Sequence, residues 1–111
     1  SLFEIEHIYA KKRQDNEKKL SSNRKLECLG NKAILEKRIN IRASDYRFED
    51  KIKYYIGHTT EKGQIKKGTL NFELKSLSET YDDFFERDID ERNDKIIRTF
   101  IEFLNENQLL V

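Results

Sequence analysis

Leu2-Phe3-Glu4-Ile5-Glu6-His7-Ile8 is the stretch on which the reading of the chain turns. Apolar Leu2, Phe3, Ile5 and Ile8 are interrupted by Glu4, Glu6 and His7, the pattern of a short strand with one charged edge. A first strand is expected over residues 2–9. It sets a carboxylate beside an imidazole, Glu6 then His7. Consecutive side chains on a strand point to opposite faces, so these two serve one site only where the strand ends or bends. A lone Glu-His pair on a strand is usually solvated. Gly30-Asn31 and Asn40, further along, give this one weight.

Outward from that strand, residues 10–21 are polar with no sustained apolar period, and read as a loop carrying at most a short helix. Residues 22–29 predict a short helix capped by Ser22, with Leu26 and Leu29 inward and Gly30 ending it. Residues 31–37 predict a second strand built on Ala33, Ile34 and Leu35. A loop follows over residues 38–45, with Ser44 or Asp45 placed to cap a helix over residues 46–56. Phe48, Ile52 and either Tyr55 or Ile56 share one face of that helix, and Gly57 stops it. An isolated pair of short strands is marginal, so the rest of the chain must supply core.

Residues 57–68 hold three glycines among polar residues and read as a loop. Residues 69–79 fit a helix through Leu70, Leu74 and Leu77. They also fit a strand over 69–74, through Leu70, Phe72 and Leu74; the helix is preferred. Asp88-Ile89-Asp90-Glu91 resembles a capping box with Asp88 at the cap. It opens a helix running to about residue 107, with Ile89, Ile96, Ile97, Phe100, Ile101, Phe103 and Leu104 as its stripe. Together these elements predict one α+β domain: a strand-strand-helix core over residues 1–57 and a helical extension over 58–111.

A chain of 111 residues is enough for one modest core. Charge is high at 39%, but seven Phe and five Tyr argue against disorder. Residues 1–57 carry 14 Lys and Arg against 9 Asp and Glu; residues 58–111 carry 8 against 12. The basic half is therefore the one that can face phosphate, and scatter over a solvated surface is the bland alternative. Cys28 is the sole cysteine, which excludes an internal disulfide and a thiolate zinc site, and suits a reducing cytosol. No apolar run approaches a membrane span. The chain opens on Ser1, and a cut from a longer protein is the expected origin.

Glu6, His7, Asn31 and Asn40 stand in an order and spacing that resemble the HNH, or ββα-metal, nuclease motif in its variant ending in Asn. The closest resemblance is to the C-terminal nuclease domain of GmrSD-type modification-dependent restriction enzymes. There the first strand reads Glu-His-Ile and the second opens with Leu-Gly-Asn. Here those are Glu6-His7-Ile8 and Leu29-Gly30-Asn31. Phe48, Lys51 and the helix bearing Asp88-Ile89 and Arg92 also fit, so the resemblance spans nearly the whole chain. One departure is Ala10 in His7-Ile8-Tyr9-Ala10, where that family has proline; proline would shape the strand's exit and not the chemistry.

The resemblance implies a metal-dependent endonuclease that hydrolyses DNA phosphodiester bonds, in a cytoplasmic restriction or anti-phage system. It implies Mg²⁺ or Mn²⁺ held by Glu6 and Asn40, whose oxygens suit a hard cation. His7 is the expected general base, because imidazole titrates near neutrality. Asn31 belongs to the catalytic set as the residue holding the loop that orients His7. Lys11, Lys12, Arg42, Lys51 and Arg92 are expected phosphate contacts, with an ion pair at the edge of the last helix as the other reading of Arg92. The implied partners are DNA, modified or not, and an upstream ParB-like nucleotide-dependent domain. Two alternatives stand beside this one. The same fold with weakened catalysis would be a module that binds DNA or a protein; a domain with no site would leave the Asn31–Asn40 spacing a coincidence.

Overall fold

The computed structural model describes residues 2–39 and 47–109. Among them the order is β1 (Phe3–His7), α1 (Lys11–Glu17), β2 (Lys32–Glu36), α2 (Phe48–Ile56), β3 (Gly57–Thr59), β4 (Ile65–Lys67), α3 (Phe72–Thr80) and α4 (Glu86–Glu106). Short 3₁₀ turns at Asn23–Glu27, Leu29–Asn31 and Lys37–Ile39 complete it. β1 pairs antiparallel with β2, setting Ile5 opposite Ile34, Glu6 opposite Ala33 and His7 opposite Lys32. With α2 behind them, the two strands form a ββα-type core, and the class is α+β as expected.

Alternation along β1 has an unusual outcome. Ala33 and Leu35 are buried, and the β1 residues opposite them are Leu35's partner Glu4 and Ala33's partner Glu6. Phe3, Ile5 and Ile34 therefore lie on the outer face, each more than half exposed. The carboxylates on the inner face must find polar partners in the core, and Glu6 finds them on α2.

That core joins Ile8, Tyr9, Leu35, Phe48, Tyr55, Leu74, Phe84 and Ile89, so both halves of the chain contribute to it. Phe48 is its centre, with ring centroids 5.9 Å from Phe84 and 6.3 Å from Tyr55. Each such ring buried is worth about 1.5–3 kcal/mol. The choice left open on α2 falls to Tyr55, which is buried, while Ile56 is exposed. α1 is a full two turns, held by Arg13. Its guanidinium donates to both Asp83 carboxylate oxygens (2.7 and 3.0 Å) and lies 4.6 Å over the Tyr9 ring.

Several boundaries differ from expectation. Residues 57–68 form a hairpin, not a loop: β3 pairs with β4, and the turn closes through Thr60 and Gly63 at φ 79°. Its strands are short and β4 is wholly exposed, so no apolar alternation marks them. Gly57, at φ 101°, does end α2 and leads straight into β3. α2 starts at Phe48, and the expected caps Ser44 and Asp45 lie outside the described residues. The segment from 69 resolves as helix, beginning at Phe72 after Asn71, whose side chain accepts from the Glu73 and Leu74 N–H groups. α4 begins at Glu86, so Asp88 is not its cap; from the third position its carboxylate accepts the Phe85 N–H at 2.9 Å. Along α4 only Ile89 of the expected stripe is fully buried; Ile97, Phe100, Ile101 and Phe103 are exposed. Among the described residues no helix is long and apolar enough to cross a membrane.

Candidate active site at the end of the first strand

β1 stops at His7, and three separate groups take over the backbone beyond it. The Ile8 N–H donates to the Asn31 carbonyl at 2.9 Å. The Asn31 side chain, fully buried, accepts from the Tyr9 N–H at 2.7 Å and donates to the carbonyls of Tyr9 (3.0 Å) and Leu26 (3.1 Å). Lys51 Nζ, from α2, donates to the carbonyls of His7 (2.9 Å) and Ile8 (3.1 Å).

Glu6 leaves the strand toward α2. Its Oε2 accepts from the Tyr55 hydroxyl at 2.8 Å and lies 3.6 Å from Lys51 Nζ. Burial pushes the Tyr55 phenol well above its ordinary range, and the adjacent Glu6 charge adds to this, so Tyr55 is a neutral donor. Burial also draws the Lys51 ammonium below the usual lysine range, against the pull of Glu6.

His7 leaves on the opposite face. Its Nε2 lies 3.2 Å from Glu27 Oε1. Glu27 is itself 3.0 Å from Lys32 Nζ and 3.4 Å from Lys11 Nζ. The Lys32 hydrogen bond is the largest influence on Glu27 and, with His7 and Lys11, holds its carboxyl at about 2.

The residues expected from the sequence fare differently. Glu6 and His7 are the last two residues of β1 and face opposite ways, and Asn31 holds the backbone at Ile8 and Tyr9 just beyond them. Asn40 and Arg42 lie outside the described residues. Lys11 and Lys12 stand exposed on α1. Lys51, expected at phosphate, is 2% exposed, and its ammonium is committed to two carbonyls and Glu6. Arg92, also expected at phosphate, takes its alternative reading. It pairs with both Glu73 oxygens at 2.8 Å and donates to the carbonyls of Leu29, Gly30 and Lys32. Gly30 does not end a helix in a left-handed turn; it lets the chain touch α4, where a Cβ would meet the Ile89 carbonyl at 2.1 Å.

Two neighbours of the site were not singled out by sequence. Tyr55 could have been, since Lys51 and Tyr55 follow Phe48 at helical spacing and a lysine inside an apolar stripe demands a partner. Glu27 could not, because it reaches His7 only through the turns of residues 23–31. Among the described residues no group of three or more His, Cys, Asp or Glu side chains is placed to hold a metal ion. A cation here would have few protein ligands, as Mg²⁺ commonly does.

Compared with known proteins, residues 1–99 match the family model of the C-terminal domain of GmrSD restriction endonucleases. No curated protein and no solved structure matches the chain.

Proposed function

Since the chain belongs to the family of GmrSD restriction endonuclease C-terminal domains, we propose that it is an HNH-type nuclease domain that hydrolyses DNA phosphodiester bonds with a divalent cation. What supports this reading is the family match together with Glu6 and His7 as the last two residues of β1, Glu6 facing Tyr55 and Lys51 and His7 facing Glu27. Glu6 suits a hard cation by its chemistry. It is an oxygen donor whose Oε2 is oriented by Tyr55 and Lys51, as ligating carboxylates generally are by their neighbours. Asn40, its expected companion, would add an amide oxygen. Bound by these two, Mg²⁺ or Mn²⁺ would supply charge neutralisation at the phosphate and the leaving oxygen.

His7 is the proton acceptor in this scheme. A neutral imidazole donating Nε2–H to Glu27 keeps Nδ1 as the base that takes a proton from water. Glu27, its carboxyl held at about 2, is the ionised acceptor that faces Nε2 in this scheme. Asn31 holds the backbone and touches no substrate. Lys11, Lys12 and Arg42 are the proposed DNA contacts. The same reading expects an upstream ParB-like nucleotide-dependent domain to gate cleavage.

The test is nicking of supercoiled plasmid with Mg²⁺ or Mn²⁺, beside His7→Ala and an EDTA control, together with Mn²⁺ titration. Metal-dependent nicking that His7→Ala abolishes is the expected result. Equal nicking by both proteins refutes the role of His7. Absence of Mn²⁺ binding that depends on Glu6 and Asn40 turns the reading to a non-catalytic binding module.

A further inference from the structure

Lys51 is a buried charge to which the chemistry above assigns no task. It sits on the inner face of α2 between Phe48 and Tyr55, all three buried. An ammonium there must have its three N–H groups satisfied. Its hydrogen bonds go to the His7 and Ile8 carbonyls, and Glu6 Oε2 pairs with it at 3.6 Å, so that its partners come from three consecutive residues. In a regular strand, successive carbonyls point to opposite sides, so one cation cannot reach two of them. At His7 and Ile8 it reaches both, which means that the backbone folds around the ammonium where β1 ends. Asn31 holds the next residue, Tyr9, from the other side. A compact ammonium suits this three-way grip, and a planar guanidinium fork does not.

We propose that Lys51 is a positioning residue of the nuclease site: its ammonium clamps the turn at His7–Ile8 and the Glu6 carboxylate as one unit, and so fixes the metal-binding carboxylate relative to the general base. The proposal rests on the nuclease reading and assigns Lys51 no contact with DNA.

Lys51→Met keeps the length of the side chain and removes the ammonium. In the full chain, kcat for plasmid nicking is expected to fall about 100-fold, the scale of a small misplacement at a reacting centre. Mn²⁺ affinity is expected to weaken about tenfold, as when a ligand's supporting partner is lost. KM for DNA and its salt dependence should stay as in the wild type, because no phosphate contact is removed. A raised KM with a flatter salt dependence and unchanged kcat would overturn the proposal in favour of a phosphate contact. Unchanged kcat and unchanged Mn²⁺ affinity would overturn it outright.

Should Lys51→Met fail to fold, ¹⁵N NMR of the wild type decides. The Lys51 ammonium is expected to exchange slowly with water and to couple to the carbonyl carbons of His7 and Ile8. Exchange as fast as that of exposed lysines refutes the clamp. A wild type that neither binds Mn²⁺ nor nicks DNA removes the nuclease reading itself. Loss of the Lys51 effect in an active wild type removes only this proposal.

Discussion

Replacing Asn31 by alanine should destabilise this domain more than any single exposed substitution. The side chain is fully buried and makes three hydrogen bonds, one accepted from the Tyr9 N–H and two donated to the Tyr9 and Leu26 carbonyls. Alanine leaves those three backbone groups without partners, at about 1–3 kcal/mol each. The Leu26 contact is only partly buried, and water can serve it, so a total of about 3–5 kcal/mol is expected. Small domains carry roughly 0.05–0.15 kcal/mol per residue, so a chain of 111 residues has about 6–17 kcal/mol in all. The variant would therefore lose a large fraction of its stability. Urea unfolding followed by far-ultraviolet circular dichroism measures this directly, with the slope expected unchanged. Asn31→Asp sharpens the test. It keeps the acceptor for Tyr9 N–H but turns a carboxylate toward two carbonyls, which raises its pKa. Its destabilisation should be full above that raised pKa and relieved as the pH falls through it, when the carboxyl becomes a donor. A loss under about 1 kcal/mol for Asn31→Ala, against the cost expected of buried unpaired groups, would refute the idea that Asn31 is the bracket of the strand's exit.

Gly30→Ala drives a methyl to 2.1 Å from the Ile89 carbonyl, so α4 must shift. A loss of about 3 kcal/mol or more is expected in the same unfolding assay, and a neutral result would mean that α4 does not dock there. Glu27, with an ordinary value of 4.5, is held at about 2 in the fold chiefly by Lys32. Its stabilising contacts are thus complete above pH 4.5 and are lost as the pH falls through about 2. A carboxyl ¹³C titration with a midpoint above 4 would contradict the cluster around His7.

The sequence carried the core better than its surroundings. Phe48 and Leu74 are legible because apolar side chains at helical spacing have one place to go, whereas spacing alone leaves Tyr55 and Ile56 equal and only burial separates them. The hairpin at Gly57–Thr59 and Ile65–Lys67 was not legible, since β4 is wholly exposed and no burial pattern marks it. The stripe of α4 is legible as a stripe, but its period reports only that Ile97, Phe100 and Ile101 share a face, and all three are exposed. A helix of 21 residues is about 31 Å long, and only its first turns carry buried residues, Asp88 and Ile89. At the site, residue types and spacing pointed to Glu6, His7 and Asn31. They could not separate a lysine that meets phosphate from one that meets backbone, because both need the same cation. Burial made that distinction for Lys51, and a carboxylate partner made it for Arg92.

Arg92 also shows how the acidic second half of the chain reaches the site. Its guanidinium bonds the carbonyls of Leu29, Gly30 and Lys32, the residues on either side of Asn31. Asn93, one position on, accepts the Gly30 N–H at 3.2 Å. α4 therefore fixes the backbone from which the Asn31 amide projects, Asn31 fixes Tyr9, and Lys51 fixes His7 and Ile8 from the other side. A substitution in this series acts on His7 by displacing it and not by changing its chemistry. The nearer the change lies to Tyr9, the more directly it moves the imidazole, whereas a change in α4 must first pass through stability. Activity lost in proportion to unfolding thus points to Arg92 and Gly30, and activity lost in a folded protein points to Lys51, Glu6 and His7.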